Sequence, residues 1–398
     1  MGTIVSLIHQ EAEKVLSDVI RIRREFHSYP ELSFQEFRTS EKIAACLDDL
    51  GLEVRRNVAT TGVVGLVRGR EKGRTIALRA DMDALPVEEN TGLPFASRNA
   101  GVMHACGHDG HMAMLLGAAM VLANLRERIR GSVKFIFQPG EEGYAGARQM
   151  IEEGVLDEEP RIEAAFALHL DPLVPSNTLC IRKGPIMACA DVFMLSIIGK
   201  GGHGALPHKS VDPILVSGHV ITALQAVASR QVNPMEAVVL SICTIHAGTA
   251  MSIIPERVEM SGTVRLFDAK LRESMPSMME EIIRGVTAAF GATYDFAYVP
   301  GYPATINDGK FTEMVRSVAQ EILGPGRIWE LERPRMPSED FSYFLERVPG
   351  TFALLGVRPT DREPVPSHNS KYAIDEAGLL AGVKLHAAVA LRFLGAEA

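Results

Sequence analysis

The chain has no Cys-x-x-Cys pair, no basic run, no low-complexity tract and no apolar stretch near the roughly 18 residues of a membrane span. Its five cysteines, Cys46, Cys106, Cys180, Cys189 and Cys243, make an odd count. That argues against a disulfide framework and for a reducing compartment. Four of them are expected to pack as small apolar residues, and only Cys106 keeps unusual company. With a formal charge of -8 and no aromatic-basic stripe, nothing in the chain would track a phosphate backbone. Neither nucleic acid nor membrane is expected as a partner. The opening residues carry Glu11 and Glu13 and no positive region ahead of an apolar core, so an export signal is not expected and a cytoplasmic protein is. Met1 to Ser6 fits a myristoylation pattern, but so short a pattern matches often by chance, and one acyl chain anchors only marginally. No repeat of fixed period occurs.

What is present is an ordinary globular composition, 46% hydrophobic and 23% charged, over 398 residues, enough for two or three domains. Ile8, Ala12, Val15, Val19, Ile22 and Phe26 recur at helical spacing. A second helix is predicted over Thr39 to Leu50, with Gly51 as its stop. Strands are predicted at Val63–Val67, Thr75–Arg79, Val133–Phe137 and Ala164–Leu168, with a helix over Met112 to Leu125 between them. Strand and helix alternate as in a mixed or mostly parallel sheet. Beyond Pro185 the pattern changes. Strands are predicted over Val192–Ile198, Ala237–His246, Arg257–Phe267 and Ala292–Val299. One helix, capped by Asp212 with Pro213 at its first position, and a second, Lys270 to Phe290, complete a ferredoxin-like order. Helices at Phe311–Leu323 and Glu376–Leu394 and a strand at Thr351–Val357 resume the first style. The expected architecture is α/β and two-domain: a discontinuous mixed-sheet domain, residues 1–186 and 300–398, with an α+β domain, residues 187–299, inserted in it.

The chemistry lies in four separated segments: His104-Ala-Cys106-Gly-His108-Asp-Gly-His111, Gln138-Pro-Gly-Glu141-Glu142-Gly, Leu168-His169 and Ser367-His368-Asn369. Thiolate, imidazole and carboxylate suit zinc, manganese, cobalt or nickel, whereas calcium and magnesium want nearly all oxygen. Two ions 3.5 to 4 Å apart need about five protein ligands, and Cys106, His108, Glu142, His169 and His368 supply five. Successive residues of an extended or turning segment point apart, so one of Glu141 and Glu142 can bind metal while the other serves as general base. Three of the segments adjoin predicted strands or helices, and ligand segments at the C-terminal ends of strands are where open α/β sheets hold their sites.

Taken with Arg23-Arg-Glu-Phe-His27-Ser-Tyr-Pro-Glu-Leu, Arg79-Ala-Asp81-Met-Asp83-Ala-Leu-Pro, Gly202-His203-Gly-Ala-Leu-Pro-His208 and Ser338-Glu339-Asp340-Phe, these segments resemble the amidohydrolase branch of the aminoacylase/carboxypeptidase metallopeptidases. Hippurate hydrolase, N-acyl-L-amino-acid amidohydrolases and auxin-conjugate hydrolases belong to that branch. The resemblance implies that Cys106, His108, Glu142, His169 and His368 are the metal ligands, Glu141 the general base, and Asp83 an acid supporting the centre. It implies that the inserted domain is a lid that mediates dimerisation or higher self-assembly. That domain would lend His203 to the partner subunit's site, where it would hydrogen-bond the oxyanion. Arg265 matches a position that binds the substrate carboxylate, which a guanidinium fork suits. Where relatives read Asn-Val-Ile-Pro this chain has Ser252-Ile-Ile-Pro255, so substrate preference or rate should differ while catalysis survives. The implied activity is hydrolysis of the amide of N-acyl amino acids. The alternatives are a dipeptidase or carboxypeptidase, and a metal-binding or ligand-sensing protein without turnover.

Overall fold

The computed structural model describes residues 4–395, so the first half of the myristoylation pattern, residues 1–3, lies outside the described residues. The chain divides into two compact units. One takes in the chain up to Ile186, Ile306–Arg333 and the residues from Asp340 on; the other comprises Met187–Thr305 and Pro334–Glu339.

In the first unit eight strands form one mixed sheet in the order Glu53–Val58, Gly62–Arg68, Arg130–Gln138, Glu71–Asp81, Ala164–Asp171, Gly350–Gly356, Leu179–Ile181, Ile328–Glu330. The four central strands run parallel, pairing Asp81 with Gln138, Arg79 with Ala167 and His169 with Leu354. Apart from the exposed start of Glu71–Asp81 they are buried almost end to end, as strands of a parallel sheet covered on both faces are. Parallel pairing brings the C-terminal ends of three of them, Asp81, Gln138 and Asp171, to the same rim.

The helix His108–Asn124 starts one turn earlier than its periodicity predicts. Gly110 lies inside it, contrary to expectation for a glycine. The reason is tertiary: a Cβ at Gly110 would stand 2.5 Å from Leu170 Cδ1, so a larger residue would require the Leu170 side chain to shift. Gly107, at φ +90°, takes the left-handed turn that starts the helix. The helix is apolar all round and accordingly buried on nearly every side. The helices Ile4–Ser28 and Leu379–Phe393 share its core through Ile8, Val19, Ile22, Leu385 and Val389.

The second unit holds a four-stranded antiparallel sheet ordered Val239–Ala247, Arg257–Arg265, Ala190–Ile198, Thr293–Tyr302, with helices Pro213–Ala226 and Ala269–Ala289 between strands in the chain. The succession is strand, helix, strand, strand, helix, strand. Asp212 caps the first helix, accepting from the Ile214 and Leu215 amides, and Asp268 caps the second through Leu271. A core of Phe193, Leu195, Val220, Leu224, Met275 and Met279 fills the space between sheet and helices. One expectation fails here: Cys243 is exposed rather than packed. It sits at a register shift between Ile242 and Thr244 in the edge strand, and from there to Ala247 every residue of the strand is exposed.

Among the described residues no helix is long and apolar enough to cross a membrane.

Candidate metal centre

Two carboxylates end the strand Glu71–Asp81 and its following turn. Asp81 is fixed by Arg79, whose Nη1 donates at 2.7 Å, and Asp83 accepts from Ser33 Oγ at 2.7 Å. Asp83 also accepts the backbone amides of Glu141 and Glu142, at 3.1 and 2.9 Å. One side chain therefore shapes the turn that presents both glutamates. Glu36 holds the same turn from the other side, accepting from Gly140 N at 3.1 Å and from Thr61 Oγ1 at 2.5 Å. Burial pushes its carboxyl up to about 7. Neither Ser33 nor Glu36 carries any signal in the sequence, because their partners Asp83 and Gly140 lie 50 and 104 residues away.

Around this turn the five predicted ligands converge. Donor atoms of Cys106, His108 and His169 lie within 4.8 Å of one another, as do those of Cys106, Glu142 and His368, and those of His108, Glu141 and Glu142. Cys106 Sγ is 3.4 Å from His169 Nε2, and His368 Nε2 is 3.3 Å from Glu142 Oε1. His169 Nδ1 donates to its neighbour's carbonyl, Leu170 O, at 2.9 Å, which turns Nε2 toward the thiol. His368 takes a left-handed backbone, φ +66°, secured by its amide donating to Ala105 O at 2.8 Å. Both carboxylates thus meet His108, but only Glu142 also reaches Cys106 and His368.

The donors suit a cation. Both ring nitrogens of His108 are buried without a hydrogen bond, though Asp83 Oδ1 stands 3.4 Å from Nδ1. Such orphaned polar atoms in a 1% exposed side chain need a ligand. Burial would lower the proton affinity of His108, yet Asp81, Asp83 and Cys106 outweigh it and raise it well above the ordinary imidazole range. Burial would raise the Cys106 thiol, but His169 and its contacts with His108 and His368 hold it well below its usual range. His368 is raised to about 10 by Cys106 and Glu142. Protons are being drawn to imidazoles that face a thiolate and carboxylates, so the site demands positive charge; a dication would meet that demand and displace the protons.

The remaining expected residues lie in the second unit. His203 pairs with Ile253 across a two-stranded ribbon and, with Ser252, lines a cavity of about 510 Å³ that also includes Gly202, Pro255 and Glu256. Its Nδ1 accepts from Ala205 N at 3.0 Å. Arg265 donates to Thr263 Oγ1 at 3.2 Å and Ser338 Oγ at 3.1 Å.

Sequence and structure comparisons agree with this chemistry. Residues 77–392 match the model of Peptidase family M20/M25/M40. Thermostable carboxypeptidase 1 of Saccharolobus solfataricus is 42% identical over 395 residues, covering 98% of this chain and 99% of the relative. The N-acyl-L-amino acid amidohydrolase of Geobacillus stearothermophilus is 45% identical over 302 residues, 75% of this chain and 80% of its own length. The crystal structure of the Bacillus subtilis YXEP protein, a dinuclear metal binding peptidase from the M20 family, superposes with TM-score 0.84 at 36% identity, covering 96% of this chain and 99% of that one. With the family model spanning most of the chain and close relatives matched over nearly their whole length, the chain belongs to peptidase family M20/M25/M40, a family of metal-dependent hydrolases.

Proposed function

We propose that the chain hydrolyses the amide bond of N-acyl amino acids, hippurate-like substrates among them, releasing an amino acid and a carboxylic acid. The observation that carries the reading is the convergence of Cys106, His108, Glu142, His169 and His368 with Glu141 beside them. These five would hold two divalent ions, and the thiolate favours zinc, manganese, cobalt or nickel. Bound there, the ions would polarise the amide carbonyl and acidify the attacking water. Glu141 would take the proton from that water and deliver it to the departing nitrogen. Asp83 keeps Glu141 and Glu142 in place through their backbone amides. His203, offered by a neighbouring subunit of a homodimer, would hydrogen-bond the oxyanion, and Arg265 would bind the substrate carboxylate with Ser252 alongside. A reducing, cytoplasmic setting goes with this reading on the odd cysteine count.

A carboxypeptidase or dipeptidase reading is favoured by one finding, the name of the Saccharolobus solfataricus relative. A panel of N-acyl amino acids and free dipeptides separates the two. The expected result is faster cleavage of the acyl amino acids, abolished by a chelator and restored by manganese or zinc. Preference for free dipeptides would replace the proposal with the second reading, and activity untouched by chelation would refute both.

A further inference from the structure

His111 closes the octapeptide that holds Cys106 and His108, and by residue type it is as good a ligand as either. Its two nitrogens are already committed. The backbone amide of Leu170 donates to Nε2 at 2.8 Å, and an amide can only donate, so Nε2 carries no proton. Nδ1 is then the protonated nitrogen and donates to Asp81 Oδ1 at 2.6 Å. Asp81 is itself clamped by Arg79 and lies 3.7 Å from His108 Nδ1. On the other side, the residue whose amide His111 holds is the residue whose carbonyl turns His169: Leu170 O accepts from His169 Nδ1 at 2.9 Å, leaving Nε2 facing Cys106. The ring of His111 packs against both other imidazoles, with centroids 5.3 Å from His108 and 4.6 Å from His169, and it is 1% exposed. Gly110 leaves room for the Leu170 side chain against this turn, where a Cβ would stand 2.5 Å from Leu170 Cδ1.

We propose that His111 is a positioning residue for the metal centre: it spans from Asp81 to Leu170, fixes the carboxylate beside His108 and the backbone that orients His169, and binds no ion itself. This rests on the dinuclear reading above. A rival is a direct role, because Asp81, His108 and His111 donor atoms also lie within 4.8 Å of one another. A ligand would have to give up the Leu170 amide or the Asp81 carboxylate, leaving a buried polar group unpaired.

The test is titration of metal-free protein with zinc against a competing chelator, with melting of the metal-free form recorded alongside. His111→Gln keeps both an acceptor and a donor at similar reach; His111→Asn keeps a donor toward Asp81 but is too short to meet Leu170. Two zinc equivalents are expected in both variants. In His111→Asn one of them should bind about 10- to 100-fold more weakly, the range for partners that orient metal ligands. His111→Gln should recover toward the unaltered protein. Loss of a whole equivalent in both variants would make His111 a ligand and overturn the proposal. Unchanged affinity in His111→Asn would overturn it too, and so would an affinity loss that His111→Gln fails to recover. Fewer than two equivalents in the unaltered protein would instead sink the dinuclear reading on which it rests.

Discussion

Replacing Glu141 by Gln is expected to leave the metal content intact and to lower kcat by about 10² to 10⁴-fold, the range for a lost general acid–base. The substitution keeps shape and removes only the capacity to take a proton. Its backbone contribution survives, since the Glu141 amide, which donates to Asp83, is untouched. The distinction between the two neighbouring glutamates rests on where their oxygens reach. Glu142 is grouped with Cys106 and His368 as well as with His108, whereas Glu141 shares only the His108 group among these ligands. Glu142→Gln should therefore lower metal affinity as well as turnover. Steady-state kinetics with elemental analysis of both variants checks the assignment. Undiminished activity in Glu141→Gln, or loss of metal from it, would reverse the roles.

The second large effect is on stability. Arg79 is 2% exposed and uses its whole fork inside the protein: Nε donates to Gln138 Oε1 at 2.8 Å, Nη1 to Asp81 Oδ2 at 2.7 Å and Nη2 to Asp340 Oδ1 at 2.8 Å. Asp340 is fully buried and also accepts from Gln138 Nε2 at 2.9 and 2.8 Å and from Ala147 N at 3.0 Å. Arg79→Met fills the volume but takes from two buried carboxylates the guanidinium they share, which costs about 3 to 5 kcal/mol. Asp340→Asn added to Arg79→Met should recover part of the loss, because it removes one of those two charges. Denaturation of metal-free protein followed through Trp329, the single tryptophan, reads the effect within the same unit. A loss under about 1 kcal/mol, the scale of an exposed ion pair, would show that the network is solvated.

The convergence of the five candidate donors was legible because their chemistry is rare and several of them lie near strand ends. Cys106 and His108 stand where the buried helix begins, and His169 lies near the end of a strand whose apolar run announces it. What periodicity could not supply was anything set by a distant partner. Gly110 reads as a helix breaker until Leu170 is placed against it. Arg79 and Asp340 lie 261 residues apart, and neither reveals the other. The edge strand Glu53–Val58 leaves no periodic signature because it is charged and only its last residue is buried, so it shows no alternation. Its pairing with Gly62–Arg68 defines it instead. Cys243 reads as a packed residue because nothing in the sequence marks where the edge strand loses its cover, with Cys243 to Ala247 all exposed.

Anomalous scattering from crystals grown with manganese or zinc tests the central claim most directly. The account requires two peaks about 3.5 to 4 Å apart. Cys106, His108, Glu142, His169 and His368 should lie at coordination distance from them, with Glu141 outside both coordination spheres. A single ion, or ions held by other side chains while these five stand apart, would contradict it.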